Sequence, residues 1–559
     1  MKTSSLKKRA ASLILILAVA LSMCFGTAGT AFAGDQMNRV NFKVSVDGKE
    51  PATVKGYNAS YTYHTYVSLR DLASALSGSQ KNMNVEYDAE KNAFSITTHT
   101  DYVPVGGENT PFDKEYQNDL VSDNISLEVP ELTIDGKYVE YRLYPSEEPG
   151  DAYMKLVDLG LVFGIDVEYT SYNELKINSA KNFTVNIDQL EEDSYFHDLD
   201  GVYLGNVTSG KKLYSWDSDH PTEVASTSKL MTFLLVQEAI DAGKVKLTDT
   251  YKISEAVMEE ANSEDSTSIC RDNFTLGKEV TVHDLIAGMM LPSANECATA
   301  LAEVVAGSEA EFVKLMNERA KQLGLTTAKF VNPHGLPNYV PSQTTGKRQN
   351  KMSAEDMYKL VSYLMKNHKE ALTSFTSKTS IDVPSFGEGV KANSTFSTLI
   401  YNMGVIGIKT GTTNRSGACI VTAIDVKVNG KTETIVSVVL GAEDNRQRYE
   451  ASNMLLKYAQ QYYAAAAEAK EVKVTASAKT VKGGVSITWK ASSKADGYQV
   501  YRSTKKTSGF VKRWDTAKNS YKNTAVKKGT RYYYKVRGYN VVGSDTFYSD
   551  YSKVVTAKA

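Results

Sequence analysis

The chain has 559 residues, 42% hydrophobic, 23% charged and 10% aromatic, a globular composition that excludes a disordered, collagen-like or coiled-coil protein. The formal charge of −1 excludes a general polyanion binder, yet the charge is unevenly spread. Residues 471–559 hold 19 Lys+Arg against 5 Asp+Glu, a balance of +14, so the other residues carry −15. At roughly 150 residues per domain, the length suggests three or four domains.

Residues 1–33 read as an export signal. Lys2, Lys7, Lys8 and Arg9 form a basic start, Ala10 to Leu21 an apolar run, and Ala31-Phe32-Ala33 an A-x-A cleavage site. The run is short for a membrane span, and no other stretch is apolar enough to enter a bilayer, which excludes a polytopic membrane protein. Cleavage removes Cys24 and leaves Cys270, Cys297 and Cys419, so one disulfide pair is the most the chain can form. No C-x-x-C occurs, and the seven His are scattered without H-x-x-x-H spacing, so neither a metal nor another cofactor is expected.

Residues 40–180 contain an internal repeat. Val46-Asp47-Gly48-Lys49 returns as Ile134-Asp135-Gly136-Lys137, and Tyr66-Val67-Ser68-Leu69-Arg70-Asp71-Leu72 as Tyr153-Met154-Lys155-Leu156-Val157-Asp158-Leu159. Val85-Glu86-Tyr87 returns as Val167-Glu168-Tyr169. Each unit reads as a hairpin, a short amphipathic helix and two short strands, an α+β repeat domain. The pattern resembles the N-terminal domain of copper amine oxidases, which also occurs as a stalk on secreted bacterial proteins. No His or Cys cluster here suits copper, so the resemblance implies a spacer or wall-contact module.

Residues 194–465 alternate helical and strand patterns. Lys229 to Ala242 is an apolar helix with Gly243 at its C-terminal end, and Glu309 to Leu323 a helix capped by Ser308. Val405 to Gly411, Ala418 to Val426 and Thr434 to Gly441 read as strands, Tyr449 to Tyr463 as a closing helix, and Ala464 to Lys470 as a small-residue linker.

Residues 471–559 read as an all-β sandwich. Val485-Ser486-Ile487-Thr488-Trp489 and Tyr532-Tyr533-Tyr534-Lys535-Val536 alternate, with Trp489 at a core-Trp position and Tyr532 at a tyrosine corner. With no Cys in the segment, Gly529-Thr530-Arg531-Tyr532 and Val536 resemble fibronectin type III modules.

Chemistry concentrates in the middle region. Ser226-Thr227-Ser228-Lys229 opens the apolar helix, and three-residue spacing puts Ser226 and Lys229 on one helix face. The helix N-terminus favours negative charge on the Ser oxygen, and burial among Leu230, Met231 and Phe233 would lower the Lys229 pKa and make it a base. The match alone means little, because Ser4/Lys7, Ser5/Lys8, Ser209/Lys212 and Ser503/Lys506 also fit S-x-x-K. Ser293-Ala294-Asn295 follows Ser226 by 67 residues, and Lys409-Thr410-Gly411, the single K-T-G of the chain, follows it by 183 at the end of a strand. This ordered set is the signature of penicillin-recognising serine enzymes.

The flanking residues narrow the resemblance. Ala225 to Thr232, Leu291-Pro292-Ser293-Ala294-Asn295-Glu296, Phe330-Val331-Asn332-Pro333-His334-Gly335-Leu336 and Gly407 to Thr413 resemble D-alanyl-D-alanine carboxypeptidases, low-molecular-weight penicillin-binding proteins of the S11 peptidase family. The resemblance covers roughly half the chain. It implies an α/β serine β-lactamase/transpeptidase-like fold and removal of the terminal D-alanine from peptidoglycan stem peptides, with β-lactams as inhibitors. It implies Ser226 as nucleophile, Lys229 as its base, and Ser293 as proton relay to the departing amine. Asn295 would hold the substrate backbone, and Lys409 and Thr410 the terminal carboxylate. Gly411 completes the K-T-G substrate-binding motif, and the N–H of Thr412, just after it, would form the oxyanion hole with that of Ser226.

Further residues carry weaker readings. His334 sits in a tight turn and reads as structural. Cys297 and Cys419 read as buried small hydrophobes. Arg446 or Arg448 either supports carboxylate binding or is a solvated surface arginine. The runner-up activities are a class A-type β-lactamase and a wall-binding scaffold with an inactive core. The first needs an E-x-x-L-N segment that Glu296 to Ile408 lacks, and the intact signature argues against the second. Family members often end in a small β-domain and an amphipathic anchoring helix, where this chain carries the basic sandwich. Export makes anionic cell-wall polymers, rather than nucleic acid, the expected partner of that module, outside the cell or on its wall.

Overall fold

The computed structural model describes residues 36–559 except 60–64, 114–117, 121–130, 139–142, 146–149, 188–195, 197, 264–267, 269–274, 338–348, 397–403 and 429. The signal reading, Cys24 and Cys270, and the side chain of Arg446, lie outside the described residues.

Asp47 and Asp135 both adopt left-handed backbone at the tips of hairpins, with φ of 52° and 49°. The first repeat unit runs through strands β1 (Gln36–Val46), β2 (Ala52–Ala59) and β3 (Thr65–Ser68), helix α1 (Leu69–Leu76), then β4 (Met83–Asp88) and β5 (Ala93–Thr98). The second has β6 (Glu131–Ile134), β7 (Ala152–Lys155), α2 (Leu156–Phe163), β8 (Ile165–Ser171) and β9 (Glu174–Asn182). The units exchange strands: β1 pairs in parallel with β9, and β5 in parallel with β6. The hairpin aspartates lock the exchange. Asp47 accepts from the Ser179 N–H and hydroxyl at 2.8 and 2.6 Å, and Asp135 from those of Thr98 at 2.9 Å each. One apolar core therefore serves both units, with Phe42, Leu72, Phe94, Leu132, Leu159 and Ile177 among its residues.

The middle region is built on a five-stranded antiparallel sheet. Its strands are β10 (Gly201–Asn206), β11 (Lys212–Trp216), β12 (Val405–Thr413), β13 (Gly417–Val428) and β14 (Lys431–Ala442), in the order β11-β10-β14-β13-β12. Central positions of β13 and β14 are buried over long runs, which fits the near-continuous apolar stretches Ile420–Ile424 and Ile435–Leu440. A helical cluster covers one face: α3 (Lys229–Asp241), α4 (Val282–Met290), α5 (Asn295–Ala306), α6 (Glu309–Gln322) and α7 (Ala354–Asn367). Ser308 caps α6 by accepting from the Glu311 N–H, and Gly243 follows α3 with φ of 69°. α3 is buried from Lys229 through Val236, as its unbroken apolar sequence requires.

Helix α8 (Asn445–Glu471) closes the sheet on its other face. It departs from the expected linker at Ala464 to Lys470. That run is alanine-rich with no Gly or Pro, and alanine has the highest helix propensity, so the helix continues for 27 residues, about 40 Å. The extension carries the C-terminal region. Tyr462 donates to Asp545 Oδ2 at 2.8 Å and packs edge-on against Phe547, and Asn540 Nδ2 donates to the Ala465 carbonyl at 3.2 Å. That region comprises two sheets of antiparallel strands around Val485, Ile487, Trp489, Tyr498, Val500, Tyr534 and Val536. The Tyr532 hydroxyl accepts from the Lys527 N–H at 2.9 Å. Among the described residues no helix is long and apolar enough to cross a membrane.

Candidate active site

A 3₁₀ turn, Ala225–Ser228, precedes α3 and holds Ser226 half-buried at its surface. The turn is strained. Among the described residues, the non-glycine positions with left-handed φ are Asp, Asn or His except for Ala225 (45°) and Ser293 (68°). Asp and Asn tolerate this region; Ala and Ser do so at a cost of about 1–2 kcal/mol, and such strain concentrates at functional sites. These two residues begin or precede the S-x-x-K and S-x-N motifs.

Lys229, fully buried, donates to three oxygens: Ser226 Oγ at 2.8 Å, Asn295 Oδ1 at 2.6 Å and the His334 carbonyl at 2.8 Å. Burial pushes its pKa down to about 7, with Glu260 and Glu296 opposing the shift. Near neutrality the amine therefore exists in both forms, and the neutral form can accept the Ser226 proton instead of donating to it. Burial, then the Lys229 charge, holds His334 well below the usual histidine range, so its imidazole is neutral. Its contribution to the site is a backbone carbonyl.

A polar cluster around Asn350, a residue outside the sequence motifs, sets that carbonyl. Asn350 Nδ2 donates to Ser228 Oγ at 2.9 Å and to the Asn332 carbonyl at 3.0 Å, and its Oδ1 accepts from the Val331 N–H at 2.7 Å. Asn332 Oδ1 accepts from the Gly335 N–H at 2.7 Å, and the Thr232 hydroxyl donates to the Pro333 carbonyl at 2.6 Å. Gly335 has φ of 97°, and a Cβ there would lie 2.0 Å from the Ala225 carbonyl oxygen, so only glycine lets the loop reach the Ser226 turn.

Ser293 is buried just before α5, and its Oγ has no hydrogen-bond partner among the described residues. A buried hydroxyl in that state loses about 1–3 kcal/mol, which a substrate group would restore.

Strand β12 runs against the Ser226 turn. A Cβ on Gly411 would come within 2.8 Å of the Ser226 nitrogen, so the third residue of K-T-G is small by steric need. Lys409 is fully buried and donates to the Thr410 carbonyl at 3.1 Å. Burial, then the charges of Lys229 and Arg448, hold its pKa well below the ordinary lysine value. An anion placed here would favour the protonated form of the Lys409 amine. The hydroxyls of Thr410 and Thr395 share a hydrogen bond of 2.6 Å, and Thr412 is exposed.

Arg448 lies beneath β12. It is buried, and its Nη1 donates to the Gly411 carbonyl at 3.1 Å, Thr412 Oγ1 at 2.8 Å and the Cys419 carbonyl at 3.4 Å. The surface-arginine reading therefore fails for Arg448, because its guanidinium replaces water as the partner of the strand. Cys297 and Cys419 are buried, and burial pushes the Cys419 thiol up to about 11, unsuited to a nucleophile.

Residues 200–444 match the Peptidase_S11 family model, D-alanyl-D-alanine carboxypeptidase. The carboxypeptidase DacF of Bacillus subtilis (strain 168) is 31% identical over 295 residues, covering 51% of this chain and 68% of that protein. DacC of Escherichia coli (strain K12) is 31% identical over 264 residues, covering 46% of this chain and 60% of that protein. The solved structure of Penicillin-Binding Protein D2 from Listeria monocytogenes in its cefotaxime-bound form is 27% identical, with a TM-score of 0.40 over 46% of this chain and 96% of that one. The chain belongs to the D-alanyl-D-alanine carboxypeptidase family.

Proposed function

We propose that this protein is a serine-type D-Ala-D-Ala carboxypeptidase that removes the terminal D-alanine from peptidoglycan stem peptides through an acyl-enzyme, and that β-lactams inhibit it. The observation that carries the reading is the buried Lys229 amine, 2.8 Å from Ser226 Oγ with a pKa near 7. Ser226 attacks the penultimate carbonyl while Lys229 takes its proton, and the partnerless Ser293 hydroxyl passes a proton to the departing D-alanine. Lys409 and Thr410 bind the terminal carboxylate, Asn295 orients the peptide, and the N–H groups of Ser226 and Thr412 receive the oxyanion. Water then releases the acyl group.

The same reading makes residues 1–33 an export signal, residues 40–180 a copper-amine-oxidase-N-terminal-like stalk and residues 471–559 a fibronectin type III-like module. The +14 balance of the last supports retention on anionic wall polymers. A fluorescent penicillin tests the enzyme reading. A stable adduct with D-alanine release from stem peptides supports it, rapid turnover of the adduct makes the protein a β-lactamase, and no adduct makes it a scaffold.

A further inference from the structure

The N-terminal module meets helix α8 at a buried ion pair. Lys155, the last residue of β7, donates to Glu450 Oε1 at 3.1 Å and Oε2 at 3.3 Å, across 295 residues of sequence. The two side chains are 1% and 5% exposed. The surrounding contact is apolar: Val157, Leu161 and Phe183 of the module pack against the cluster containing Ala451, Leu455 and Tyr458 of α8. Charges in such a place are matched or very unfavourable, so the 3.1 Å pair favours one seating of the module on the helix.

Glu450 directly follows two residues that hold the edge of the active site. Arg448 donates to the Gly411 carbonyl and to Thr412 Oγ1. Tyr449 donates to the Thr395 carbonyl at 2.8 Å, and Thr395 is hydrogen-bonded through its hydroxyl to Thr410. Residues 448–450 lie within a single turn of α8, so any shift or rotation at Glu450 is carried to Arg448 and Tyr449.

We propose that Lys155 is a positioning residue for the carboxylate-binding strand: the N-terminal module, through the Lys155–Glu450 pair, fixes the first turns of α8 and with them Thr410, Gly411 and Thr412. The module then tunes the enzyme as well as spacing it. The inference rests on the reading of Lys409 to Thr412 as the carboxylate site.

The test uses the full-length protein and the variants Lys155→Met, Lys155→Arg and Glu450→Gln. For each, kcat/KM is measured on a D-Ala-D-Ala peptide and on its C-terminal amide, beside thermal unfolding. Lys155→Met should lower kcat/KM for the free-carboxylate peptide by about 3- to 30-fold, the range for residues that couple distant sites, and the amide by far less. Glu450→Gln should repeat that selective loss, and Lys155→Arg, which keeps the charge, should restore the preference. Equal losses on both substrates, or an unchanged preference in a folded Lys155→Met or Glu450→Gln protein, overturn the proposal. If Lys155→Met does not fold, the Glu450→Gln result decides. Lys409→Ala serves as the separate control: if it leaves the carboxylate preference intact, the reading of the strand itself has failed, whatever Lys155 does.

Discussion

The Lys229 amine lies 2.8 Å from Ser226 Oγ and, in the same cluster, 2.6 Å from Asn295 Oδ1. One buried nitrogen thus joins the S-x-x-K turn to the S-x-N segment, and the His334 carbonyl completes its shell. The arrangement would let a lysine act as a base near neutrality. Burial disfavours the charged form, while three oxygens keep either form oriented.

This sets the pH dependence of acylation. Lys229 must be neutral to accept the proton, and its pKa is pushed down to about 7, so kcat/KM should rise roughly tenfold per pH unit below about 7 and then level off. The high-pH limb should come from Lys409, which must stay charged to bind a carboxylate and whose pKa is also depressed. Stopped-flow acylation by a fluorescent penicillin across this range measures both limbs. Lys229→Arg, which stays protonated, should be inert throughout. A profile flat through neutrality would remove Lys229 from the role of base.

Lys409→Ala should impair acylation while the protein stays folded. Loss of a charge-assisted hydrogen bond costs about 1.5–3 kcal/mol, which slows acylation by about one to two orders of magnitude. A substrate with an amidated C-terminus should be far less affected. Equal losses on the two substrates would separate Lys409 from the carboxylate.

The loop that presents the His334 carbonyl should be intolerant of a single methyl group. Gly335→Ala places a carbon 2.0 Å from the Ala225 carbonyl, whereas Gly324→Ala, also at positive φ (70°), meets nothing within 4 Å. Both carry left-handed strain of about 1–2 kcal/mol, and only Gly335→Ala adds overpacking of about 1–3 kcal/mol. Urea unfolding should rank them so, with acylation lost only in Gly335→Ala. Equal destabilisation would mean that the close approach does not hold the loop.

Exposed lysines of the C-terminal region should govern wall retention. Purified walls should hold the protein at low salt and release it as salt rises, since exposed charges are screened over about 8 Å at physiological ionic strength. Replacing Lys505, Lys506, Lys527 and Lys528, all exposed, by Gln should lower the salt concentration at which half the protein elutes, with peptide cleavage unchanged. An unshifted elution profile would turn attention to the N-terminal repeat as the wall contact.

What the sequence discloses about the site is its side-chain chemistry. Ser226, Lys229, Ser293 and Lys409 stand out in the sequence because the proposed reaction demands those residue types in that order, and the structure brings Ser226 and Lys229 to 2.8 Å. The His334 carbonyl is not, because a backbone oxygen leaves no mark on residue identity. Asn350 acts across 122 residues on Ser228, a pairing that no local pattern reports. Arg448 is ambiguous in sequence, because burial beneath a strand depends on where α8 docks. The repeat in residues 40–180 is visible as similarity, but the strand exchange between its units is a long-range pairing that similarity does not encode. Ala464 to Lys470 reads as a linker when size is weighed above helix propensity, and the structure favours propensity.

The most direct test of the central claim is peptide mass spectrometry of the protein after brief exposure to a β-lactam and, separately, to a D-Ala-D-Ala peptide. The account predicts one acyl group per chain, on Ser226 with either reagent, and none in the Ser226→Ala variant. An adduct on any other residue, or an adduct that survives in Ser226→Ala, would contradict it.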